Sequence, residues 1–434
     1  MADFFQNGTI TTLHGLNRDG LPRLEAELES LSRSCGIGLV LPALYSEFEQ
    51  PAIRLILDEL RRTRFLRRIV LVLTRANGEQ YRHVKRVMHG MPAEVAILWI
   101  DSDPVQSFLR SLGEDGLCEG LEGKGRSAWL GLGYLLSQGD CEVLALQDCD
   151  IKNYSRRMLA RLVYPLVHPE IGMEFAKGFY ARCSGQKLHG RVTRLFFTPL
   201  LRACQDAGID SELLRFADSF RYALAGEFAM NRRIAERADV PCDWGLEVGM
   251  LAEVHRLAKV DRVCQVDLTD SYDHKHQELS KDDAARGLRR MTREIAVALF
   301  RGLCADGCQI DESKLRTLGM RYRRRATEAM DKYRADALLN GIEYDLAKER
   351  DNAAVFARSL EEAGYEFLAD PNGAVWMPSW STCSQTLPSI YQRLQAASVI
   401  GTEIETNWIA GTAIDRDVLV LPGVSASQWS GAPS

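Results

Sequence analysis

Between Gly36 and Asp150, short apolar runs alternate with amphipathic stretches, and this alternation leaves the chain few architectures. A strand that is apolar at every residue must be covered on both faces, and a helix with one apolar stripe must lay it on a partner. Repeated βα units meet both needs by placing helices on the two faces of a mostly parallel sheet. The pattern predicts strands at 37–42, 69–73, 95–100 and 143–146. Helices are expected at 51–62, where Ile53, Leu55, Ile56 and Leu60 read as one side, and at 81–88, 105–112 and 127–136. A Gly- and Glu-rich loop, 113–125, precedes the last of these.

From Asn153 to about Gln277 the pattern is mixed. It predicts a helix at 156–167, a strand at 173–182, a loop at 185–190, a helix through Leu200 and Leu201, and a strand at 262–268. Beyond Ser280 the chain turns charged and helical to about Gly364, with Ile295, Val297, Ala298 and Leu299 apolar. The expected organisation is an N-terminal segment 1–35, an α/β domain 36–280 and a mainly helical region 281–434. The tail after Ser425 is expected to be disordered.

A formal net charge of -5 argues against nucleic-acid binding, which needs a basic footprint. The cluster Arg321, Arg323, Arg324 and Arg325 reads as a solvated helix face rather than a phosphate patch. Eleven cysteines are scattered with no CxxC pair, which suggests free thiols in a reducing compartment. The first sixteen residues lack a signal-peptide pattern and no run of about 18 apolar residues occurs, so a soluble cytoplasmic protein without a membrane partner is expected.

The chemistry concentrates where the 143–146 run meets Gln147-Asp148-Cys149-Asp150. Residues i and i+2 of an extended chain face one side, so Asp148 and Asp150 share a small space. Such a pair repels itself unless a cation bridges it, and Mg²⁺ or Mn²⁺ is held by one or two carboxylates plus diphosphate oxygens. Open α/β sheets bind ligands at this carboxyl end. D-x-D alone is a common sequence, and two ordinary loop aspartates are the alternative reading. Glu47 closes Leu39-Val40-Leu41-Pro42-Ala43-Leu44-Tyr45-Ser46-Glu47; it could accept from a uracil or ribose, or serve the first turn of a helix. Gly123-Lys124-Gly125-Arg126 opens a helix, where Lys124 can reach a diphosphate, although no Walker motif is present.

Taken in order, Pro42-Ala43-Leu44, Gly123-Lys124-Gly125, Asp148-x-Asp150, Gly190-Arg191-Val192-Thr193, Leu224-Ala225-Gly226-Glu227 and Gly245-Leu246-Glu247-Val248-Gly249 resemble the glucosyl-3-phosphoglycerate synthases, with mannosylglycerate-type synthases as relatives. The resemblance covers about residues 36–280. It implies a GT-A fold with a helical C-terminal extension, UDP-glucose as donor, Mg²⁺ or Mn²⁺ as cofactor, and transfer with retention to 3-phosphoglycerate; a homodimer is the expected assembly. Carried over position by position, Pro42, Ala43, Leu44 and Glu47 would contact uridine, with Lys124 beside the nucleotide. Asp148 and Asp150 would be the metal motif, Asp148 also serving the sugar nucleotide, and the late metal-binding His maps to His274 rather than His276. Gly190, Arg191, Val192 and Thr193 would hold the acceptor, Glu247 the sugar hydroxyls, and Leu224 would lie near the reacting centre.

Elementary chemistry fits several of these. The planar fork of Arg191 suits phosphate or carboxylate oxygens, and Thr193 adds a hydroxyl donor. Glu247 could equally be an exposed helix residue. The chain departs from the family after Pro42-Ala43-Leu44, where Tyr45-Ser46-Glu47 stands in place of the usual Asn-Glu and puts Glu47 one residue late. Catalysis is expected to rest on Asp150, Glu247 and Leu224. A GDP-mannose-using synthase, a nucleotidyltransferase and a non-catalytic sugar-nucleotide-binding scaffold are the competing readings; Leu44-Tyr45-Ser46, where a nucleotidyltransferase needs a Gly-rich loop, argues against the second.

Overall fold

The computed structural model describes residues 9–398 except 18, 119–121, 275–286 and 374–375. His276, the boundary near Ser280 and the tail after Ser425 lie outside the described residues. The strands are β1 (Thr11–Leu13), β2 (Ile37–Leu44), β3 (Arg68–Thr74), β4 (Glu94–Trp99), β5 (Val143–Leu146), β6 (Phe175–Tyr180), β7 (Cys183–Ser184), β8 (Lys187–Leu188), β9 (Phe228–Asn231), β10 (Val240–Pro241), β11 (Val263–Thr269) and β12 (Trp376–Met377). Eight of them form one sheet in the order β1-β11-β6-β9-β5-β2-β3-β4. Every pairing in it is parallel except those of β9, which runs antiparallel to β5 and β6.

Burial on both sides explains the unbroken apolar runs. On β3, Val70 and Val72 join the core on one face while Ile69, Leu71 and Leu73 join that on the other. Each such side chain contributes roughly 1.5–3 kcal/mol on leaving water. In the helix Pro51–Arg61, Ile53, Ile56 and Leu60 are buried but Leu55 is exposed. At about 100° per residue Leu55 lies some 200° round from Ile53, so the sequence grouping was too wide by one residue.

Two strands of the eight-stranded sheet escaped the sequence pattern. β1, Thr-Thr-Leu, is too short to show a period, and β9, Phe-Ala-Met-Asn, has no alternation. β2 runs two residues further than expected, through Pro42. Val40 O accepts from Gln147 N, towards β5. Pro42, two residues on, faces the same way, but the β2–β5 pairing has ended at Val40, so its missing N–H breaks no ladder. The sheet opens there.

The later helices Gly287–Ala305, Glu312–Leu339 and Leu346–Ala369 share one hydrophobic cluster with the helix Lys124–Gln138. Trp380 stacks on Trp129 with ring centroids 4.0 Å apart, and its Nε1 donates to Trp129 O at 3.0 Å. A Cβ on Gly133 would stand 1.9 Å from the Trp380 ring, so only glycine admits it. Three residues of the basic cluster are paired in place: Arg325 with Asp206 and Glu328, Arg324 with Glu328, and Arg323 with Glu361. Among the described residues no helix is long and apolar enough to cross a membrane.

Candidate active site

β5 delivers the acidic motif. Leu144 and Leu146 are buried on one face and Cys149 drops into the core on the other, leaving Asp148 and Asp150 half-buried at the strand's end. Gln147 is held by the Tyr154 hydroxyl, which donates to its Oε1 at 2.9 Å. The chain after β11 folds back onto this segment: Ile151 bridges His274, Lys152 N donates to Asp273 O at 2.8 Å, and Asn153 Nδ2 donates to Ser271 O at 2.9 Å. His274 is thereby brought to the motif. Donor atoms of Asp148, Asp150 and His274 all lie within 4.8 Å of one another.

Lys124 is the first residue of the helix Lys124–Gln138, and its Nζ sits 2.7 Å from Asp148 Oδ1 and 3.0 Å from Glu247 Oε1. Burial works against its charge, but the two carboxylates outweigh burial and hold its pKa well above the usual lysine value. Glu247 is buried, in the first turn of the helix Leu246–Leu257. The flanking glycines are steric necessities. Gly123 has φ 148°, and a Cβ on Gly125 would stand 1.6 Å from Pro241 O. Gly226 comes between the charges, since a Cβ there would lie 2.5 Å from Asp148 Oδ2 and 3.0 Å from Lys124 Nζ. Leu224 lies in the same turn, half-buried.

Burial raises the Asp150 carboxyl, yet the neighbouring His274, helped by Lys124, brings it below the usual carboxylate range. Asp150 Oδ1 is buried without a hydrogen-bond partner and stands 3.7 Å from His274 Nδ1. Such an oxygen is costly to leave unsatisfied.

Pro42, Ala43 and Leu44 form the end of β2, beside the motif. Glu47 lies in a short 3₁₀ turn, Tyr45–Glu47, where its Oε2 accepts from Leu44 N at 3.3 Å, a capping contact of the kind its sequence position allowed. The Gly190–Thr193 segment follows the β7–β8 hairpin. Gly190 has φ 71°, and a Cβ on it would meet Arg182 at 3.2 Å and the Tyr222 hydroxyl at 3.3 Å. Arg182 donates to that hydroxyl at 3.0 Å and lies over the Tyr272 ring, two residues from His274. The two halves of the site are thus joined through Arg182.

Val192–Phe197 is a π-turn, a rare form favoured at functional sites. Pro199 explains it: proline offers no N–H to Leu195 O four residues back, and the Tyr322 hydroxyl donates there instead at 2.8 Å.

A layer beneath the site was missed from sequence. Glu227 is fully buried and accepts from the hydroxyls of Tyr180 and Tyr272, each at 2.6 Å. Burial, reinforced by Asp148, raises its pKa. Lys177 is fully buried, donates to Ala225 O at 2.8 Å, and is lowered by burial to about 8. A lysine inside the run Phe-Ala-Lys-Gly-Phe-Tyr was the available signal.

No family model matches the chain. The structure is similar to crystal structures of glucosyl-3-phosphoglycerate synthase from Mycobacterium tuberculosis. One, in complex with Mn²⁺, UDP-glucose and phosphoglyceric acid, has a TM-score of 0.50 at 22% identity, covering 68% of this chain and 88% of that one. Another, with Mg²⁺ and UDP, has the same TM-score over 68% and 87%. The fold is that of a GT-A glycosyltransferase, a mostly parallel sheet with its acidic motif at the carboxyl end. In sequence the chain is 46% identical to the glucosyl-3-phosphoglycerate synthase of Persephonella marina over 91% of this chain and 97% of that protein. It is 35% identical to that of Methanococcoides burtonii over 92% and 97%. The chain belongs to the glucosyl-3-phosphoglycerate synthase family.

Proposed function

We propose that this protein moves glucose from UDP-glucose to the hydroxyl of 3-phosphoglycerate with retention of configuration. One observation carries the reading: Asp148, Asp150 and His274 converge within 4.8 Å at the end of a parallel sheet, in a chain 46% identical to a synthase of that name. Both substrates are charged and do not cross membranes unaided, so a cytoplasmic location goes with the proposal.

The donor set fits a hard divalent cation. Two carboxylates and an imidazole meet there, and the partnerless Asp150 Oδ1 is an open coordination position. Mg²⁺ or Mn²⁺ held by Asp150 and His274, with Asp148 on the ribose or a metal-bound water, would supply charge neutralisation to a departing diphosphate. The chain's own residues do the rest. Pro42, Ala43, Leu44 and Glu47 seat the uridine at the open end of β2. Lys124 gives a fixed positive charge beside the diphosphate. Glu247, tied to that ammonium, is a poor nucleophile and a good acceptor for sugar hydroxyls, which supports attack on the leaving-group side. The acceptor proton then passes to the departing phosphate oxygen. Leu224 borders the reacting centre, and Gly190, Arg191, Val192 and Thr193 hold the acceptor.

Incubating the pure protein with UDP-glucose, Mg²⁺ and 3-phosphoglycerate and assaying free UDP tests this reading. UDP release that depends on the acceptor is expected. Release without acceptor, or none with it, refutes the proposal.

A further inference from the structure

We infer that Asn352, on the helix Leu346–Ala369, is a positioning residue that holds Arg191 for the acceptor, making the C-terminal helices part of the active site. The inference rests on the acceptor role proposed for Arg191.

Asn352 is fully buried, and its Oδ1 accepts from Arg191 Nη1 at 3.2 Å. Arginine has donors only, so the amide orientation is dictated: the oxygen must face the guanidinium. That choice leaves Asn352 Nδ2 buried with no hydrogen-bond partner. Native structures seldom tolerate an orphaned amide donor. Here it is the consequence of committing the carbonyl to Arg191. The Thr193 hydroxyl, two residues along, is likewise buried without a partner.

One helical turn earlier, Glu349 treats the neighbouring arginine differently. It grips Arg194 with two bonds, Nη1 to Oε2 at 2.8 Å and Nη2 to Oε1 at 3.3 Å, and the Arg194 guanidinium lies over the Tyr333 ring. Positions i and i+3 share a helix face, so one face presents a carboxylate to Arg194 and a neutral amide to Arg191. The carboxylate cancels the charge it touches. The amide bonds the Arg191 guanidinium without adding a second charge to the one that Glu349 already brings near it. Arg194 Nε also donates to His189 O at 2.8 Å, clamping the segment on its other side. Asn352 therefore sets acceptor recognition without touching the donor site.

The test is steady-state kinetics of the full chain with both substrates varied, for N352A, N352D and R191A, together with thermal melting and calorimetric binding of UDP with Mn²⁺. N352A is expected to raise the KM for 3-phosphoglycerate about tenfold. N352D should raise it further, because its carboxylate neutralises Arg191. The KM for UDP-glucose and the binding of UDP with Mn²⁺ should stay within twofold of wild type. Should the buried carboxylate prevent folding, N352S replaces N352D, and its neutral, shorter side chain should give the same rise as N352A. An R191A variant with unchanged acceptor KM would overturn the acceptor reading of Arg191. If R191A raises that KM while the folded Asn352 variants leave it unchanged, or shift both substrates equally, the Asn352 inference alone falls.

Discussion

Lys124 Nζ lies between Asp148 Oδ1, at 2.7 Å, and Glu247 Oε1, at 3.0 Å, so one ammonium links the acidic motif on β5 to a different helix. A cation shared by a half-buried and a buried carboxylate is a fixed charge rather than a proton donor. Replacing it with Met leaves the two carboxylates facing each other in a partly dry site. We expect Lys124→Met to lower kcat/KM by about 10²–10³-fold, the range for removing one preorganised electrostatic group. Stopped assays at saturating acceptor would measure it, and a loss under threefold would remove Lys124 from the mechanism.

Asp150 and His274 are expected to set the metal dependence. Asp150→Ala and His274→Ala should weaken Mn²⁺ binding, measured by calorimetry, by more than the roughly 10–100-fold typical of residues that only support a ligand. A chelator should abolish turnover of the wild type, and added Mn²⁺ should restore it. Glu247→Gln should keep its metal affinity and part of its turnover; complete loss at Glu247 with retention at Asp150 would favour a covalent nucleophile instead.

Gly226 is squeezed between charges. Adding a methyl 2.5 Å from Asp148 Oδ2 must displace that carboxylate or the lysine beside it. Gly226→Ala is therefore expected to cost at least tenfold in kcat/KM, with a melting temperature close to wild type because the methyl meets side-chain ends rather than core. A fully active Gly226→Ala enzyme would show that the Asp148–Lys124 contact is dispensable.

Lys177 carries a pH signature. Its folded-state pKa, about 8, is below the usual lysine value because burial disfavours the charged form. Between pH 8 and 10.5 the unfolded chain holds more protons than the folded one, so this group's contribution to stability rises with pH across that window. At about 1.36 kcal/mol per unit, the difference between wild type and Lys177→Met should move by about 3 kcal/mol in favour of wild type. Urea titrations at pH 7.5 and 10 would detect it, and parallel pH profiles for the two proteins would contradict it.

The sheet was legible because its strands are buried on both faces and so advertise themselves as unbroken apolar runs. Asp148 and Asp150 were legible from i, i+2 spacing, and Cys149 between them falls into the core as that spacing requires. β9 was not, since an antiparallel strand of four residues inserted between parallel ones leaves no local mark. Glu227 was visible within its motif but gave no hint of its two tyrosine partners, which approach from β6 and from the chain beyond β11. Pro199 within a helical run was a signal of irregular backbone, but the hydroxyl that completes it comes from Tyr322, far along the chain. Local pattern encodes elements; contacts across such separations are written only in the packing.

That last contact bears on the order in which the enzyme becomes competent. Synthesis proceeds from the N-terminus, so the eight-stranded sheet and its carboxylates exist as polypeptide before Tyr322 or Asn352 has been made. The π-turn carrying Thr193 waits for a hydroxyl to cover the carbonyl that Pro199 leaves bare. The helix opened by Lys124 leans on the same late segments, since Trp380 stacks on its Trp129, so neither side of the site is complete before the final third of translation.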